Sequence, residues 1–275
     1  MNNKKVEFAK YILRKGAEAS EAKGEPLEIA YSGGKDSDVL LHLAKSANIP
    51  FRAIYKNTTI DPPRTIAHAK AMGAEIRAPT KTFAQLIAEN GLPNRFRRFC
   101  CSELKEYKIC DNVAIGVRKA ESRKRNERYK EPIECRVFSK SRNERQQRFY
   151  PLLEWTDEDI KDYITENNIQ CHPLYYTNGM FDVTKRLGCM CCPLMSRRKR
   201  IAEFASHPQI VKLYIRAMGK YCETHTMRRF RNPYEWFIDD VFFMGKDAEY
   251  KSFINAPLFN EGAKTYLENY FNLKF

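Results

Sequence analysis

Leu27-Glu28-Ile29-Ala30-Tyr31-Ser32-Gly33-Gly34-Lys35-Asp36-Ser37-Asp38-Val39-Leu40-Leu41-His42-Leu43-Ala44 is the stretch on which the fold turns. Residues 27–31 read as a short apolar strand, residues 39–44 as a helix, and residues 32–37 as a polar, glycine-rich turn between them. A strand–turn–helix junction is where backbone N–H groups and the positive helix end can hold a phosphate. Gly33 and Gly34 permit positive φ and close backbone approach. Lys35 offers a point charge, and Ser32 and Ser37 offer hydroxyls to phosphate oxygens. A Walker A loop would need Ser or Thr directly after Gly-Lys and a further Gly five places before the second one; Asp36 and Ile29 stand at those positions, which disfavours a P-loop kinase or GTPase.

Upstream, residues 4–22 place Val6, Ala9, Ile12 and Leu13 on one helical face, with Phe8 at its margin, and Gly24 and Pro26 close the helix. Downstream, residues 51–55 read as a strand, 65–72 as a helix, 75–77 as a strand, 83–89 as a helix and 112–117 as another strand. This alternation predicts an α/β fold, a parallel twisted sheet with helices on both faces. From Arg118 to Arg148 the periodicity fades into twelve basic and five acidic side chains; the segment is expected to be a loop or a mobile hairpin around residues 133–138. Thr156 heads a helix, with acidic residues in the first turn. Residues 189–275 read as a cysteine-rich loop followed by helices. The expected division is a nucleotide-binding α/β domain, 1–188, and a cysteine-bearing helical C-terminal portion, 189–275. No internal repeat is present.

The chain of 275 residues is 43% hydrophobic and 12% aromatic, with 12 Gly and 13 Pro. That is enough apolar side chain for a sizeable core and too little Gly and Pro for a fibrous or low-complexity protein. A formal charge of +14 favours an anionic partner. No stretch approaches the roughly 20 apolar residues of a membrane span, and the N-terminus lacks a signal-like apolar region. A cytoplasmic protein that does not engage membranes is expected. Nine cysteines in such a chain point to metal, catalysis or packing rather than disulfides, and the sequon at Asn57-Thr58-Thr59 is expected to be unglycosylated.

The hexapeptide Ser32-Gly33-Gly34-Lys35-Asp36-Ser37 resembles the pyrophosphate loop of the ATP pyrophosphatases, or adenine nucleotide α-hydrolases. Five further stretches resemble the phosphoadenosine phosphosulfate (PAPS) reductase-like branch: residues 55–65, 98–105, 116–123, 151–156 and, taken together, 173–175 with 188–194. The resemblance runs in family order from residue 27 to residue 194. It implies an adenine nucleotide α-hydrolase-like fold and cleavage of ATP between its α and β phosphates. Lys35 and Ser37 would be the catalytic residues. Ser32, Gly33, Gly34, Asp36, Asn57 and Gly116 would line the nucleotide, with Arg118, Arg123 and Arg125 as cations oriented by Glu121 and Ser122. Arginine suits that role because its planar fork donates two hydrogen bonds to an oxyanion. Family members often carry Asp-Thr-Gly where this chain has Asn57-Thr58-Thr59.

Cys100-Cys101 and Cys189-x-x-Cys192 form a tandem pair and a spaced pair. Four thiolates could bind tetrahedral zinc or a 4Fe-4S cluster, and the spacing leaves that choice open. The pattern resembles the cluster-binding cysteines of adenylylsulfate (APS) reductases, which implies the iron–sulfur cluster, with zinc as the alternative and Cys191 as a surplus thiol. Cys110, Cys135, Cys171 and Cys222 are isolated and expected to pack. Tyr221-Cys222-Glu223-Thr224-His225 lacks the Glu-Cys-Gly-Leu-His motif of the reductase nucleophile, so Cys222 does not inherit that role. His42 and His68 lack a partner at metal spacing and read as structural. Trp155 reads as core. Arg197-Arg198-Lys199-Arg200 and Arg228-Arg229-Phe230-Arg231 are either a grip on a phosphate backbone or solvated helix faces.

The resemblance therefore implies an ATP-dependent, nucleotide-activating enzyme coupled to sulfur transfer. Its cofactors would be ATP and Mg²⁺ with the metal centre, its acceptor tRNA or DNA, and its sulfur supplier a cysteine desulfurase. The rivals are a PAPS or APS reductase with a thiol reductant, using PAPS or APS in place of ATP, and a nucleic-acid-binding module with a regulatory nucleotide site.

Overall fold

Helix α1 (Asn3–Glu21) buries Ala9, Ile12, Leu13, Gly16, Ala17 and Ser20 along one stripe, the spacing of a helix with a single apolar face. The computed structural model describes residues 3–137, 145–226, 232–243 and 262–275. These form two compact units. The first comprises Met1–Asn57, Asp61–Ala78 and Glu106–Gly188, the second Thr58–Ile60, Pro79–Lys105 and Cys189–Phe275. The second unit gathers everything from Cys189 onward, and 58–60 and 79–105 group with that C-terminal part because their apolar side chains belong to its core.

The first unit is built on β1 (Leu27–Tyr31), β2 (Phe51–Lys56), β3 (Glu75–Arg77), β4 (Asn112–Ile115), β5 (Ile133–Val137) and β6 (Arg145–Phe149). Their order in the sheet is β3-β2-β1-β4-β6-β5. Every pair is parallel except β5 with β6, so the expected mostly parallel α/β sheet is present. Helices α2 (Lys35–Ser46), α3 (Thr65–Ala71), α6 (Arg123–Arg128) and α7 (Asp157–Glu166) complete the unit, with a two-stranded ribbon, β7 (Tyr176–Thr177) and β8 (Met180–Phe181). Thr156 caps α7 in a capping box with Asp159. Ile29, Leu40, Leu41, Leu43, Ala114, Phe149 and Trp155 are core residues. Because β2 lies on one side of β1 and β4 on the other, the strand order reverses at β1, and the loop after β1 opens at that switch point. In open α/β sheets this is where ligands bind.

The second unit is helical: α4 (Phe83–Asn90), α5 (Phe99–Leu104), α8 (Arg197–Ser206), α9 (Pro208–Thr224), α10 (Pro233–Trp236) leading into a π-helical turn at Phe237–Phe243, and α11 (Gly262–Phe271). Its core gathers Phe83, Leu86, Phe204, Tyr214, Met218, Phe237 and Phe242, with edge-to-face ring contacts around Phe204.

The structure corrects several expectations. Of the two expectations for the basic segment after Arg118, a loop or a hairpin around residues 133–138, the antiparallel β5–β6 pair fits the hairpin, with α6 before it, and Glu134 faces Arg148 across that pair. Cys135 is exposed rather than packed, since an edge strand offers one face to solvent. Arg148 and Arg200 are buried, so neither belongs to a solvated basic face. Residues 138–144, with Arg142, and the Arg228–Arg231 cluster lie outside the described residues. Among the described residues no helix is long and apolar enough to cross a membrane.

Candidate functional site

The loop leaves β1 at Ser32 and enters α2 at Lys35, with Gly34, which has no side chain to cap with, as an extended N-cap. The first backbone N–H groups of α2 therefore depend on other partners. Gly33 sits at φ +76°, and a Cβ there would meet Thr65 Cγ2 at 3.0 Å and Leu187 Cδ2 at 3.3 Å. A Cβ on Gly34 would lie 3.2 Å from Tyr175 Oη. Gly33 is thus required by its positive φ, and Gly34 leaves Tyr175 room to approach the loop closely. The Ser37 hydroxyl donates to the Gly34 carbonyl at 2.7 Å, and Ser32 Oγ lies 3.2 Å from it. Lys35 is 4% exposed. Its ammonium donates to the Lys185 carbonyl at 3.4 Å, lies 3.5 Å from Asp36 Oδ2 and faces the Tyr175 ring at 5.5 Å. Burial pushes the Tyr175 phenol up to about 12, so it stays neutral and can donate. Lys185 and Leu187 escaped the sequence reading, and Tyr175 entered it only within the stretch 173–175, because nothing local ties them to residues 32–37.

Asp36 is the pivot between the loop and the arginines. Arg118 Nε donates to Asp36 Oδ1 at 2.6 Å, its Nη2 to Asp157 Oδ1 at 2.7 Å, and its Nη1 to the Trp155 carbonyl at 3.3 Å. The side chain is 1% exposed. Arg118 thus reaches the loop through Asp36. Gly116, just past β4, is fitted against the same turn: a Cβ there would be 3.2 Å from the Asp36 carbonyl oxygen. Glu121 accepts from the Arg118 backbone N–H at 3.3 Å and from the Arg125 guanidinium. Ser122 caps α6 by accepting from the Arg125 backbone N–H. Arg125 is half-exposed, whereas Arg123 extends into solvent beside Glu127. Arg186, absent from the sequence reading, donates to the Glu121 carbonyl at 2.7 Å. Asn57 follows β2, and its backbone N–H donates to the Arg77 carbonyl at 3.0 Å.

Behind the loop, Asp38 is wholly buried on α2. It accepts from the Tyr31 hydroxyl and faces His68 Nε2 at 3.0 Å. Burial raises its carboxyl, opposed by the hydrogen bond from His68. The His68 ring meets that of His172 edge-on at 5.7 Å, and burial with the neighbouring His68 lowers the His172 imidazole. His42 bonds Tyr163 Oη at 2.9 Å. Both histidines expected to be structural are so.

In the second unit, Cys100 and Cys101 lie on α5, and Cys189, Cys191 and Cys192 in the loop before α8. A hydrogen bond to Cys101, burial and the charges of Cys101, Cys192 and Cys189 all raise the Cys100 thiol. The four thiols singled out by spacing therefore share one electrostatic neighbourhood. Cys189 Sγ lies 3.6 Å from Thr58 Oγ1. Cys191 is buried at φ +51°; its N–H donates to the Glu203 carboxylate at 2.6 Å, and its carbonyl accepts from the Tyr214 hydroxyl at 3.1 Å. As a donor set, four soft thiols fit zinc or an iron–sulfur cluster. Among the described residues, no group of three or more His, Cys, Asp or Glu is arranged to hold a metal ion. Cys110 and Cys171 are buried and Cys222 is partly so, and Trp155 is core.

A mostly parallel α/β sheet with a Gly-Gly-Lys loop at its switch point is the frame of the site. The model of the phosphoadenosine phosphosulfate reductase domain matches residues 26–195, and the chain belongs to that family. Sulfate adenylyltransferase subunit 2 of Shewanella pealeana is 26% identical over 247 residues, covering 77% of this chain and 79% of that protein. Two uncharacterized proteins of Methanocaldococcus jannaschii are each 24% identical, over 74% and 80% of this chain. The chain spans 43% and 54% of their lengths, about half. Among solved structures, the PAPS reductase of Candida auris in its phosphate complex is 20% identical with a TM-score of 0.45, covering 66% of this chain and 87% of that one. The U34-tRNA thiolase of Methanococcus maripaludis with its 4Fe-4S cluster is 16% identical with a TM-score of 0.41, covering 84% of each. The family and the Shewanella relative carry the names of enzymes that handle sulfur compounds through nucleotides.

Proposed function

We propose that the chain activates a substrate with ATP, cleaving between the α and β phosphates, and couples this to sulfur transfer. The observation that carries the reading is the loop at the strand-order reversal, with Gly33 at positive φ, Gly34 closely approached by Tyr175, and the buried Lys35. Gly33, Gly34, Lys35 and Ser37 would hold the β/γ pyrophosphate, stabilising the charge that develops on it as leaving group. Arg118 would act through Asp36, keeping that carboxylate from neutralising Lys35. Arg125 and Arg123 would meet another anionic part of nucleotide or substrate. Mg²⁺, as a Lewis acid, would assist at the phosphates. Likeness to a sulfate adenylyltransferase subunit supports use of ATP, and Tyr221-Cys222-Glu223-Thr224-His225 lacks the reductase nucleophile motif.

In this reading Cys100, Cys101, Cys189 and Cys192 would hold one metal centre, an iron–sulfur cluster or zinc, which when bound would carry sulfur or order the loop. The acceptor would be a tRNA, drawn by the +14 charge, and the supplier of sulfur a cysteine desulfurase. Nine free cysteines suit a reducing, cytoplasmic setting.

Parallel incubations with ATP and with PAPS, each with and without tRNA, test the reading. AMP and pyrophosphate formed from ATP are the expected products. Sulfite from PAPS would replace the reading with a reductase, and tight binding without turnover would replace it with a regulated binding module.

A further inference from the structure

Arg200 lies on α8 and is 2% exposed. Its Nε and Nη2 have no hydrogen-bond partner, and its Nη1 reaches only the Pro193 carbonyl, at 3.4 Å. A guanidinium cannot shed its charge to escape such a site as a lysine can, and a buried cation with no counter-ion is among the costliest arrangements in a protein. Glu203, one turn further along α8, is already taken by the Cys191 backbone N–H. The ionisable groups that neighbour Arg200 electrostatically are Tyr214, Cys192 and Cys191, with the cation Arg95 acting in the opposite sense. Tyr214 is fully buried, its phenol raised by burial and by the cysteines, so it supplies a dipole and no charge. Among these described neighbours, the cysteine loop is the one that becomes anionic when it binds metal. Four thiolates on a divalent metal, or on an iron–sulfur core, leave such a centre net negative.

We propose that Arg200 is the buried counter-cation of the cysteine centre, its two unpartnered N–H groups held in reserve for the negative charge that the loop acquires when Cys100, Cys101, Cys189 and Cys192 bind metal. The inference rests on the reading of those four cysteines as one centre. It predicts opposite effects in the two states. Without metal, Arg200 is an uncompensated charge, and an apolar residue of similar length should be tolerated or stabilising. With metal, the same substitution removes the compensating charge and weakens the centre.

The test uses the full chain, reduced and stripped of metal under anaerobic conditions, titrated with zinc against a chromophoric chelator. Wild type should bind zinc, and Cys192→Ser should abolish that binding. Arg200→Met should weaken zinc affinity at least roughly tenfold, as loss of supporting contacts around a metal does, while its metal-free urea midpoint stays level or rises. Arg200→Lys should keep more of the affinity than Arg200→Met. Unchanged zinc affinity in Arg200→Met would overturn the proposal while leaving the cysteine centre standing. So would a metal-free Arg200→Met protein that is destabilised or does not fold, because the arginine would then be a structural anchor. Wild type that takes up no zinc through Cys192 would remove the cysteine centre itself, and this proposal with it.

Discussion

Replacing Arg118 separates two ways in which it could serve the phosphate loop. The guanidinium is 1% exposed and bonded to Asp36 at 2.6 Å, to Asp157 at 2.7 Å and to the Trp155 carbonyl at 3.3 Å. Asp157 is 55% exposed, so that pair contributes little. The Asp36 side chain is 18% exposed and lies 3.5 Å from the Lys35 ammonium. Removing one member of a buried pair costs about 3–5 kcal/mol, and the partial exposure of Asp36 lowers the expectation for Arg118→Met to about 2–3 kcal/mol. The freed carboxylate should then draw on Lys35 and weaken ATP binding. Adding Asp36→Asn removes that carboxylate, so the double variant should recover about 1–2 kcal/mol of stability relative to the sum of the singles and regain part of the ATP affinity. Urea unfolding and calorimetric ATP titration of wild type, the two single variants and the double variant complete the cycle. Effects that add within about 0.5 kcal/mol, or ATP affinity in the double variant no better than in Arg118→Met, would refute the action through Asp36 and leave a direct contact between Arg118 and the nucleotide.

Lys35→Ala and Ser37→Ala should each retain the fold, seen as an unchanged far-UV spectrum, and lose at least roughly tenfold in ATP turnover, about 1.4 kcal/mol of transition-state stabilisation; unaltered turnover contradicts the role of the loop. Anaerobically purified protein should be brown, and Cys189→Ser should lose the colour; zinc in place of iron on metal analysis would keep the site and reject the cluster. The His172 imidazole is held below 6.5 by burial and by His68, so folded protein binds fewer protons than unfolded protein below that pH. Its contribution is fully present above 6.5 and is lost as pH falls from there. Urea midpoints should therefore drop from about pH 7 to about pH 5, less steeply in His172→Gln, though not to zero slope because burial depresses His42 as well; identical slopes would assign the effect elsewhere. If tRNA binds, replacing the exposed Arg123, Lys124 and Arg128 together should flatten the dependence of log K on log salt by about two units, at roughly −0.7 per single-strand phosphate contact. A slope they leave unaltered places the contact off α6.

The sequence by itself determined the local elements and the chemistry of the loop. Residues 27–31 form the strand read from their apolar run, and Thr156 caps the helix it was expected to start, because short apolar runs and caps are set by neighbours a few positions away. The loop at residues 32–37 was legible for the same reason, as were the two cysteine pairs. What the tertiary structure alone decided lies at long range. Arg118 comes to Asp36 across 82 positions, and Thr58 meets Cys189 across 131. The residues between Pro79 and Lys105 join the C-terminal helices instead of the sheet they interrupt. Arg200, one of four consecutive basic residues, reads as surface in a one-dimensional charge count, yet the packing of α8 buries it beside the cysteine loop. Periodicity records which face of an element is apolar; only the fold records which charge that face is pressed against, and burial then decides how strongly the charge acts.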